Sequence, residues 1–377
     1  MQSPQYIWQR PGWPKLTFDT VRVAQEVALA RRAQGVVEGK VTALRFQERQ
    51  ELAAEAWAQD AVSTAAIEGE HLDLLTVRSS VARRLGTADQ KGPSAPRHVD
   101  GLLDIMDDAV TRANEPLTHE RLHAWQAALF PTGFSGMRPV KTAACRTGAM
   151  RIVSGRAGNE TVHYAAPAAP EVPGQMQRLL DWFNAGDGLD SIVKAALSHV
   201  WFETIHPYED GNGRVGRNMV DLCLARDAGD TSRLVRISQR LLEQRDAYYD
   251  ELGQAQHGDG DVTAWVVWFV AQVRAAWQNA SEVVEASLEK ARFWARHAAL
   301  ELTARQRKAV NALLDRGPGG FEGGMNTRKY VSLTGTSRPT ASRELIELNA
   351  LGVLKQVGGG RSTRYYINLP GWVSETA

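Results

Sequence analysis

Apolar residues recur at three- and four-residue spacing through most of the chain up to residue 300, as in Leu102, Leu103, Ile105, Met106, Ala109 and Val110. That period gathers them on one helical face and predicts amphipathic helices packed on each other, a mainly α fold. Tyr6–Pro14, YIWQRPGWP, breaks the pattern with three large aromatics and two prolines. It predicts a non-helical arm whose rings pack on a surface supplied by an N-terminal domain running to about Leu85. Gly86–Pro96 reads as an exposed loop and a domain boundary. In the middle, Met150, Ile152 and Ser154 alternate with polar and β-branched neighbours, Gly155 to Asn159 supply turn residues, and Thr161–Tyr164 are β-prone, which predicts a β-hairpin. Pro167, Pro170 and Pro173 stop it, and a helix through Met176, Leu179, Leu180, Trp182 and Phe183 follows. Beyond Leu302 the order is helix, helix, turn, helix, hairpin, with Ser337 as a helix cap and Gly352 as a stop. The expected division is residues 1–90 (helices and arm), 91–280 (the central domain) and 281–377 (a linker helix and the C-terminal domain).

Length and composition fit this picture. With 377 residues, 43% of them hydrophobic and 23% charged, the chain has enough apolar surface for two or three folded domains. No apolar run is long enough to cross a bilayer, so a cytoplasmic protein with no membrane partner is expected. Cys145 and Cys223 are too few for a disulfide framework and too far apart for a paired metal motif, which leaves buried apolar thiols. A net charge of +1 argues against whole-surface binding to nucleic acid, but residues 302–377 carry 11 Lys and Arg against 5 Asp and Glu. The tail therefore suits a different partner from the body.

The densest chemistry is His206–Arg217, HPYEDGNGRVGR. Gly211 and Gly213 free the backbone for positive φ and close approach, so that N–H groups and a following helix N-terminus form an anion cradle. Arg214 and Arg217, three apart on that helix, can both face it and grip phosphate oxygens. Asp210 suits magnesium, and His206 can deprotonate a hydroxyl near neutral pH. A plain capped turn with surface arginines would not explain a His, an Asp and two Arg at these spacings. A P-loop is excluded, because no Lys-Ser or Lys-Thr pair follows the glycines.

This segment resembles the Fic family signature, HxFx(D/E)GNGRxxR, at His206, Asp210, Gly211, Asn212, Gly213, Arg214 and Arg217. Tyr208 stands where phenylalanine is usual, a packing position that accepts a phenol if its hydroxyl finds a partner. The resemblance implies a Fic-type helical bundle with a β-hairpin flap, an N-terminal helical extension and a C-terminal winged helix-turn-helix. It also implies an adenylyltransferase that moves AMP from ATP onto a Ser, Thr or Tyr hydroxyl of a target protein, with Mg2+ as cofactor. By the same resemblance His206 is the general base and Asp210 holds magnesium between the α- and β-phosphates. Asn212 and the loop amides steady the α-phosphate, Arg214 the β-phosphate and Arg217 the γ-phosphate. The hairpin, with Ile152, Val153, Ser154 and Gly155, becomes the flap that aligns a target segment as an added strand. Tyr248 and Tyr249 border the adenine, and Gln256 stands where the family has Asn.

Thr64–Gly69, TAAIEG, matches the family's inhibitory pattern (S/T)xxxE(G/N). Glu68 is then expected to pair with Arg217 and to take the fork that would hold the γ-phosphate. In the winged helix, Arg338, Thr340, Ser342 and Arg343 open the recognition helix, and Arg361 and Arg364 in the wing would meet DNA phosphates or the minor groove. Dimerisation or target docking is the alternative use of that domain, and a homodimer stays open. Two other readings stand beside the enzyme: another donor or removal of AMP on the same scaffold, kept alive by Gln256, and a DNA-binding regulator whose Fic domain senses nucleotide.

Overall fold

Asp19 opens the first helix: its carboxylate accepts from the N–H groups of Val21 and Arg22, donors that a first turn leaves unpaired. The same device recurs at Asp73, Thr118, Asp190, Thr303, Asn326 and Ser337. The computed structural model describes residues 6–86, 95–156, 159–186, 188–318, 321 and 323–372, with backbone alone at 154–156, 159, 160 and 361. It forms two compact units, Met1–Glu282 and Val283–Ala377. The first holds α1 (Thr20–Val41), α2 (Phe46–Ile67), α3 (Leu74–Arg84), α4 (Arg97–Thr111), α5 (His119–Leu129) and a short hairpin of β1 (Phe134–Ser135) and β2 (Arg138–Pro139). The longer hairpin β3 (Arg151–Arg156) and β4 (Asn159–Ala165) follows, then α6 (Val172–Asn184), α7 (Ser191–Ile205), α8 (Asn212–Ala228), α9 (Ile237–Glu243) and α10 (Arg245–His257). The two units divide within α11 (Thr263–Arg296).

Helix α7 is the centre of the first unit. Every residue from Ile192 to Ile205 is buried, the mark of a helix covered on all sides. It packs most extensively against α8, while α6 and α10 cover other faces; α8 in turn carries α4, α5 and the end of α2. Cys223 lies in this core, whereas Cys145 is only partly buried, against the expectation of two buried thiols.

The aromatic arm packs elsewhere than expected. Trp8 Nε1 donates to Ala165 O in β4 at 2.9 Å, and Trp13 Nε1 to Gln175 Oε1 in α6 at 2.6 Å. Tyr6 is buried against Tyr164 of β4 and His257 of α10, and Trp13 against Trp201 of α7. The arm thus clasps the root of the longer hairpin and the α6–α7 face, not the N-terminal helices, because the large aromatic surfaces that match its rings are there. That hairpin is also longer than its sequence suggests: Gly155 and Arg156 pair with Glu160 and Asn159 as strand residues. The turn between them, 157–158, and most of the expected loop, 87–94, lie outside the described residues.

The second unit follows the expected order, with α12 (Ala304–Leu314), α13 (Thr327–Thr334), α14 (Arg338–Ala350) and an antiparallel hairpin of β5 (Leu354–Val357) and β6 (Arg364–Ile367). Phe293, Val310, Leu313, Tyr330, Leu345, Leu348 and Ile367 form its core. Arg338, Ser342 and Arg343 are exposed on α14, and so is Ile346 between them and the helix end.

One buried carboxylate ties α2 to its neighbours. Asp60 accepts from the Gln239 N–H at 3.1 Å, close to the start of α9. Burial pushes it up to about 6 in spite of its hydrogen bonds to Gln239 and Ser238 and the nearby Arg236. Asp221 of α8 is pushed up by burial and by Asp60. A carboxyl raised in the folded state stabilises fully below its ordinary value of 3.8, and that contribution is lost as pH rises through about 6. Asp60→Asn keeps the acceptor and cannot ionise. It is expected to melt at a higher temperature than wild type at about pH 7.5, with the gap closing toward about pH 4, in thermal unfolding across that range.

Candidate active site

His206 stands where α7 stops. Its N–H still donates to Phe202 O at 2.8 Å, but φ of 48° and ψ of 63° place it in the left-handed region. For a residue with a Cβ this stores about 1–3 kcal/mol that neighbouring contacts must offset. Arg146 supplies them. Its guanidinium donates to His206 O at 2.8 Å, Pro167 O at 2.6 Å, Ile205 O at 3.3 Å and Gly148 O at 2.9 Å, and its backbone N–H donates to Pro207 O at 2.8 Å. Burial holds this guanidinium below its ordinary value. Glu203, one turn back on α7, lies beside the imidazole with Oε2 3.4 Å from His206 Nδ1.

Asn212 closes the loop between α7 and α8. Its Oδ1 accepts from Tyr208 N–H and its Nδ2 donates to Tyr208 O, both at 2.8 Å. Oδ1 and one Nδ2 hydrogen of Asn212 are thus engaged within the loop, which leaves its second amide hydrogen and its backbone N–H for a ligand. Tyr208 is buried, and its hydroxyl meets His123 Nδ1 at 3.1 Å, the partner a phenol needs there. Asp210 accepts from the Gly211 N–H through Oδ1 at 2.6 Å and turns Oδ2 outward, 3.6 Å from the exposed Arg138. Gly211 has φ of 86°. The first bond within α8 runs from Val215 N–H to Gly211 O, so the N–H groups of residues 212–214 face out of the helix end.

Gly213 plays a different part from the one its freedom of φ suggested. It is helical, and what matters is the missing side chain: a methyl there would lie 2.2 Å from Glu68 Oε1 and 2.9 Å from Arg217 Nη1. The Glu68 carboxylate therefore rests on the N-terminus of α8, in the anion cradle itself. Helix α2 delivers it there. The Glu70 N–H donates to Ala65 O and the Gly69 N–H to Ala66 O, both at 3.0 Å, and Gly69 takes φ of 81°. This left-handed helix ending turns Glu68 and Glu70 toward two arginines of α8.

Arg217, only 2% exposed, donates to Glu68 Oε1 at 2.8 Å, Thr64 Oγ1 at 2.8 Å and Thr64 O at 3.0 Å. Burial opposes its charge, and Glu68 with its other neighbours more than offsets that, holding the guanidinium above its ordinary value. Arg214 donates to Glu70 Oε2 at 3.1 Å and stacks 5.1 Å above Phe130. The other Glu70 oxygen is 3.1 Å from His98 Nε2.

The expected adenine side is only partly open. Tyr248 is fully buried with its hydroxyl 2.8 Å from His199 Nε2, so it supports the site from inside and does not wall it. Tyr249, 43% exposed with Arg245 over its ring, is the member of the pair that can border a ligand. Gln256 is buried further along α10, and its Nε2 has no hydrogen-bond partner. On the hairpin, Ile152 and Val153 are exposed, with Val162 exposed across from Val153 and a bulge between 152 and 153; of Ser154 and Gly155 the backbone alone is described.

Sequence reasoning passes over Glu70, Arg146, His199 and Glu203. The last two did carry a signal: seven and three positions before His206, they are the His and Glu of a helix otherwise apolar enough to be buried on all sides. Among the described residues no group of three or more His, Cys, Asp or Glu could hold a metal ion, and no helix is long and apolar enough to cross a membrane.

Residues 116–224 match the Fic/DOC family, residues 6–87 a domain of unknown function, and residues 322–368 the family "Transcriptional regulator DIP2311-like, C-terminal domain". Over 98 residues the chain is 38% identical to "Protein adenylyltransferase Fic" of Nematostella vectensis, covering 26% of this chain and 22% of that protein. Over 95 residues it is 30% identical to a probable protein adenylyltransferase of Aquifex aeolicus, covering 25% and 27%. The chain thus spans about a quarter of the length of these curated relatives. A Fic family protein from Desulfovibrio desulfuricans G20 shares its fold, with a TM-score of 0.56, 20% identity and coverage of 94% and 98%.

The Arg217 contacts give the first position of TAAIEG a physical reason. Thr64→Val keeps the shape and removes the acceptor for a buried guanidinium N–H. It is expected to cost about 1–3 kcal/mol, read as a fall in the urea midpoint at unchanged slope.

Proposed function

Because residues 116–224 form a Fic/DOC-family domain, we propose that the chain is a protein adenylyltransferase that moves AMP from ATP onto a hydroxyl side chain of a target protein, and that Glu68 holds it inactive. The observation that carries this reading is the Glu68 carboxylate seated on Arg217 and the N-terminus of α8. An anion of the chain occupies a site built for anions, and a triphosphate has the charge and donor needs to replace it. Loop and helix N–H groups would cradle the α-phosphate, Arg214 the β-phosphate and Arg217 the γ-phosphate. His206 would take the proton of the incoming hydroxyl, whose oxygen attacks the α-phosphorus as the bond to the β-phosphate oxygen breaks and pyrophosphate leaves. The protein's share is positioning and charge, as in phosphoryl transfer generally. Glu70 on Arg214 extends the block to the second arginine.

The donor set fits magnesium. Asp210 presents Oδ2, 3.6 Å from the exposed Arg138, and among the described residues it belongs to no group of three or more possible ligands, so phosphate oxygens and water would complete the shell, as this cation prefers. Bound there it would neutralise charge building between the α- and β-phosphates. Target docking is assigned to the hairpin, where Ile152, Val153 and Val162 are exposed on a two-stranded sheet.

A second activity belongs to residues 322–368, whose family is that of a transcriptional regulator. With Arg338 and Arg343 exposed on α14, DNA is the partner this unit fits best. Gel shifts with genomic fragments are expected to weaken with salt and to be lost in Arg343→Ala, while no shift of the wild-type chain even at low salt would leave dimerisation or docking as the role.

The enzymatic reading is tested with ATP labelled at the α-phosphate, magnesium and a cell lysate. Glu68→Gly is expected to raise protein labelling at least roughly tenfold over wild type, since a phosphate contact is typically worth more than 1.4 kcal/mol. His206→Ala in that background abolishes it. Absence of labelling in all variants would move the assignment to another donor or to nucleotide sensing, the two readings that the buried Gln256 and the regulator-like unit keep open.

A further inference from the structure

We propose that Glu203 is a positioning residue for His206, one that fixes which imidazole nitrogen carries the proton at rest and stabilises the ring once it has taken a second. The inference rests on the reading of His206 as the base.

Its ground is a line of polar groups crossing the most apolar part of the first unit. Tyr248 of α10 meets His199 Nε2 at 2.8 Å. The other nitrogen of His199, Nδ1, and Glu203 Oε1 converge on Gly216 of α8, where a methyl group would lie 3.2 Å from the first and 2.7 Å from the second. Glu203 Oε2 then lies 3.4 Å from His206 Nδ1. His199 Nδ1, Glu203 Oε1 and His206 Nδ1 are all buried without a hydrogen-bond partner. Three unpaired buried polar atoms around one carboxylate oppose folding unless something else depends on them.

Reaction at His206 supplies that dependence. A carboxylate only accepts hydrogen bonds, so an imidazole beside it keeps its single proton on Nδ1 and leaves the Nε2 lone pair bare. When Nε2 takes the proton of the target hydroxyl, the ring becomes a cation in a site where Glu203 is the adjoining anion. The loose 3.4 Å contact then becomes a charge-assisted bond. An interaction stronger after proton transfer than before it lowers the barrier, and a pair already tight at rest would not.

The other groups facing the pair leave it this role. On α7 itself, burial keeps His199 below its ordinary value and therefore neutral. Burial raises Tyr248 and Tyr249 of α10 and Tyr164 of β4, so all three stay protonated. Arg217 of α8 is a cation already paired with Glu68 of α2. Burial opposes ionisation of Glu203, but His206, His199 and Arg217 outweigh it and hold the carboxyl below its ordinary value. The carboxylate is thus present across the pH range in which an imidazole titrates.

The test uses the full chain and two independent readouts. In 15N spectra of the imidazole rings, with His206 assigned by its loss in His206→Ala, the neutral wild-type ring carries its proton on Nδ1. Glu203→Gln can donate to Nδ1 and is expected to move the proton to Nε2. In the Glu68→Gly background, Glu203→Gln is expected to lower kcat for AMP transfer roughly 100-fold, with KM for ATP changed less than about twofold. The acid limb of the rate profile moves to lower pH. Gly216→Ala, which pushes Glu203 and His199 aside while keeping Glu203 a carboxylate, is expected to give the same direction at smaller size and serves if Glu203→Gln fails to fold. An unchanged tautomer in a folded variant, or a loss confined to KM, overturns the proposal. If Glu68→Gly transfers nothing, the enzymatic reading has failed, and the tautomer still decides the role of Glu203.

Discussion

A guanidinium in a protein interior needs an anion, and Arg217 has one because of where α2 ends. The residue is buried on α8, its Nε is taken by the Thr64 hydroxyl, and the Glu68 carboxylate completes its fork. The same carboxylate lies against Gly213 in the first turn of α8, where the helix dipole favours an anion, so it serves a buried cation and faces a helix N-terminus. That double demand explains several features at once. Gly213 has no side chain because the anion needs its space, Gly69 turns left-handed so that α2 can release Glu68 at the right point, and Thr64 takes the guanidinium hydrogen that a carboxylate there would not reach.

The second constraint is the strain at His206. A left-handed residue at the end of a helix buried on all sides cannot relax toward water, so its position is fixed by whatever holds the carbonyls around it. Arg146 binds four of them through its side chain, three of the four from the segments that meet at the turn. Tyr164 adds another tie, its hydroxyl donating to Thr204 O at 2.6 Å, and the aromatic arm presses on Tyr164 from outside. Arm, hairpin root and imidazole are therefore one packed assembly, which gives the arm a part in placing the site although it touches none of its polar atoms.

The fold was largely legible because helical period, caps and turn residues are local properties. The long buried helix before His206, the hairpin, the cap at Ser337 and the stop at Gly352 all sit near where the pattern put them. What failed was non-local. Nothing in YIWQRPGWP says which aromatic surface it meets, and the N-terminal helices were the nearer guess in sequence but not in space. The site divides in the same way. The spacing of Gly211, Arg214 and Arg217 on a loop and helix is local and was readable. The bond of Asn212 to Tyr208, by contrast, is not visible in the string, and Tyr248 looks like a base-stacking residue and lies inside the core. Glu70, Arg146 and Glu203 act across the fold, at separations no motif records.

Release of Glu68 does not require release of α2. The helix is held by Trp57, Ala58, Ala61, Ala65 and Ile67, all buried, by Asp60 at the start of α9, and by Arg245, which donates to Ile67 O at 3.1 Å. Lifting it away would expose Trp57 and Ile67 alone at a cost of about 1.5–3 kcal/mol each, and would strand Asp60 and Arg217 as well. Glu68 is the residue after the last helical one, its side chain a third exposed, and it can turn about its own bonds while every one of those contacts stays. On the proposed function, an incoming triphosphate would therefore compete with a side chain and not with a helix. On that reading the block would be on the order of a few kcal/mol, within what phosphate oxygens on Arg217 and the α8 N-terminus would return. Thr64 would stay on the arginine throughout, so a guanidinium that lost its carboxylate would keep its orientation for an anion that replaced it.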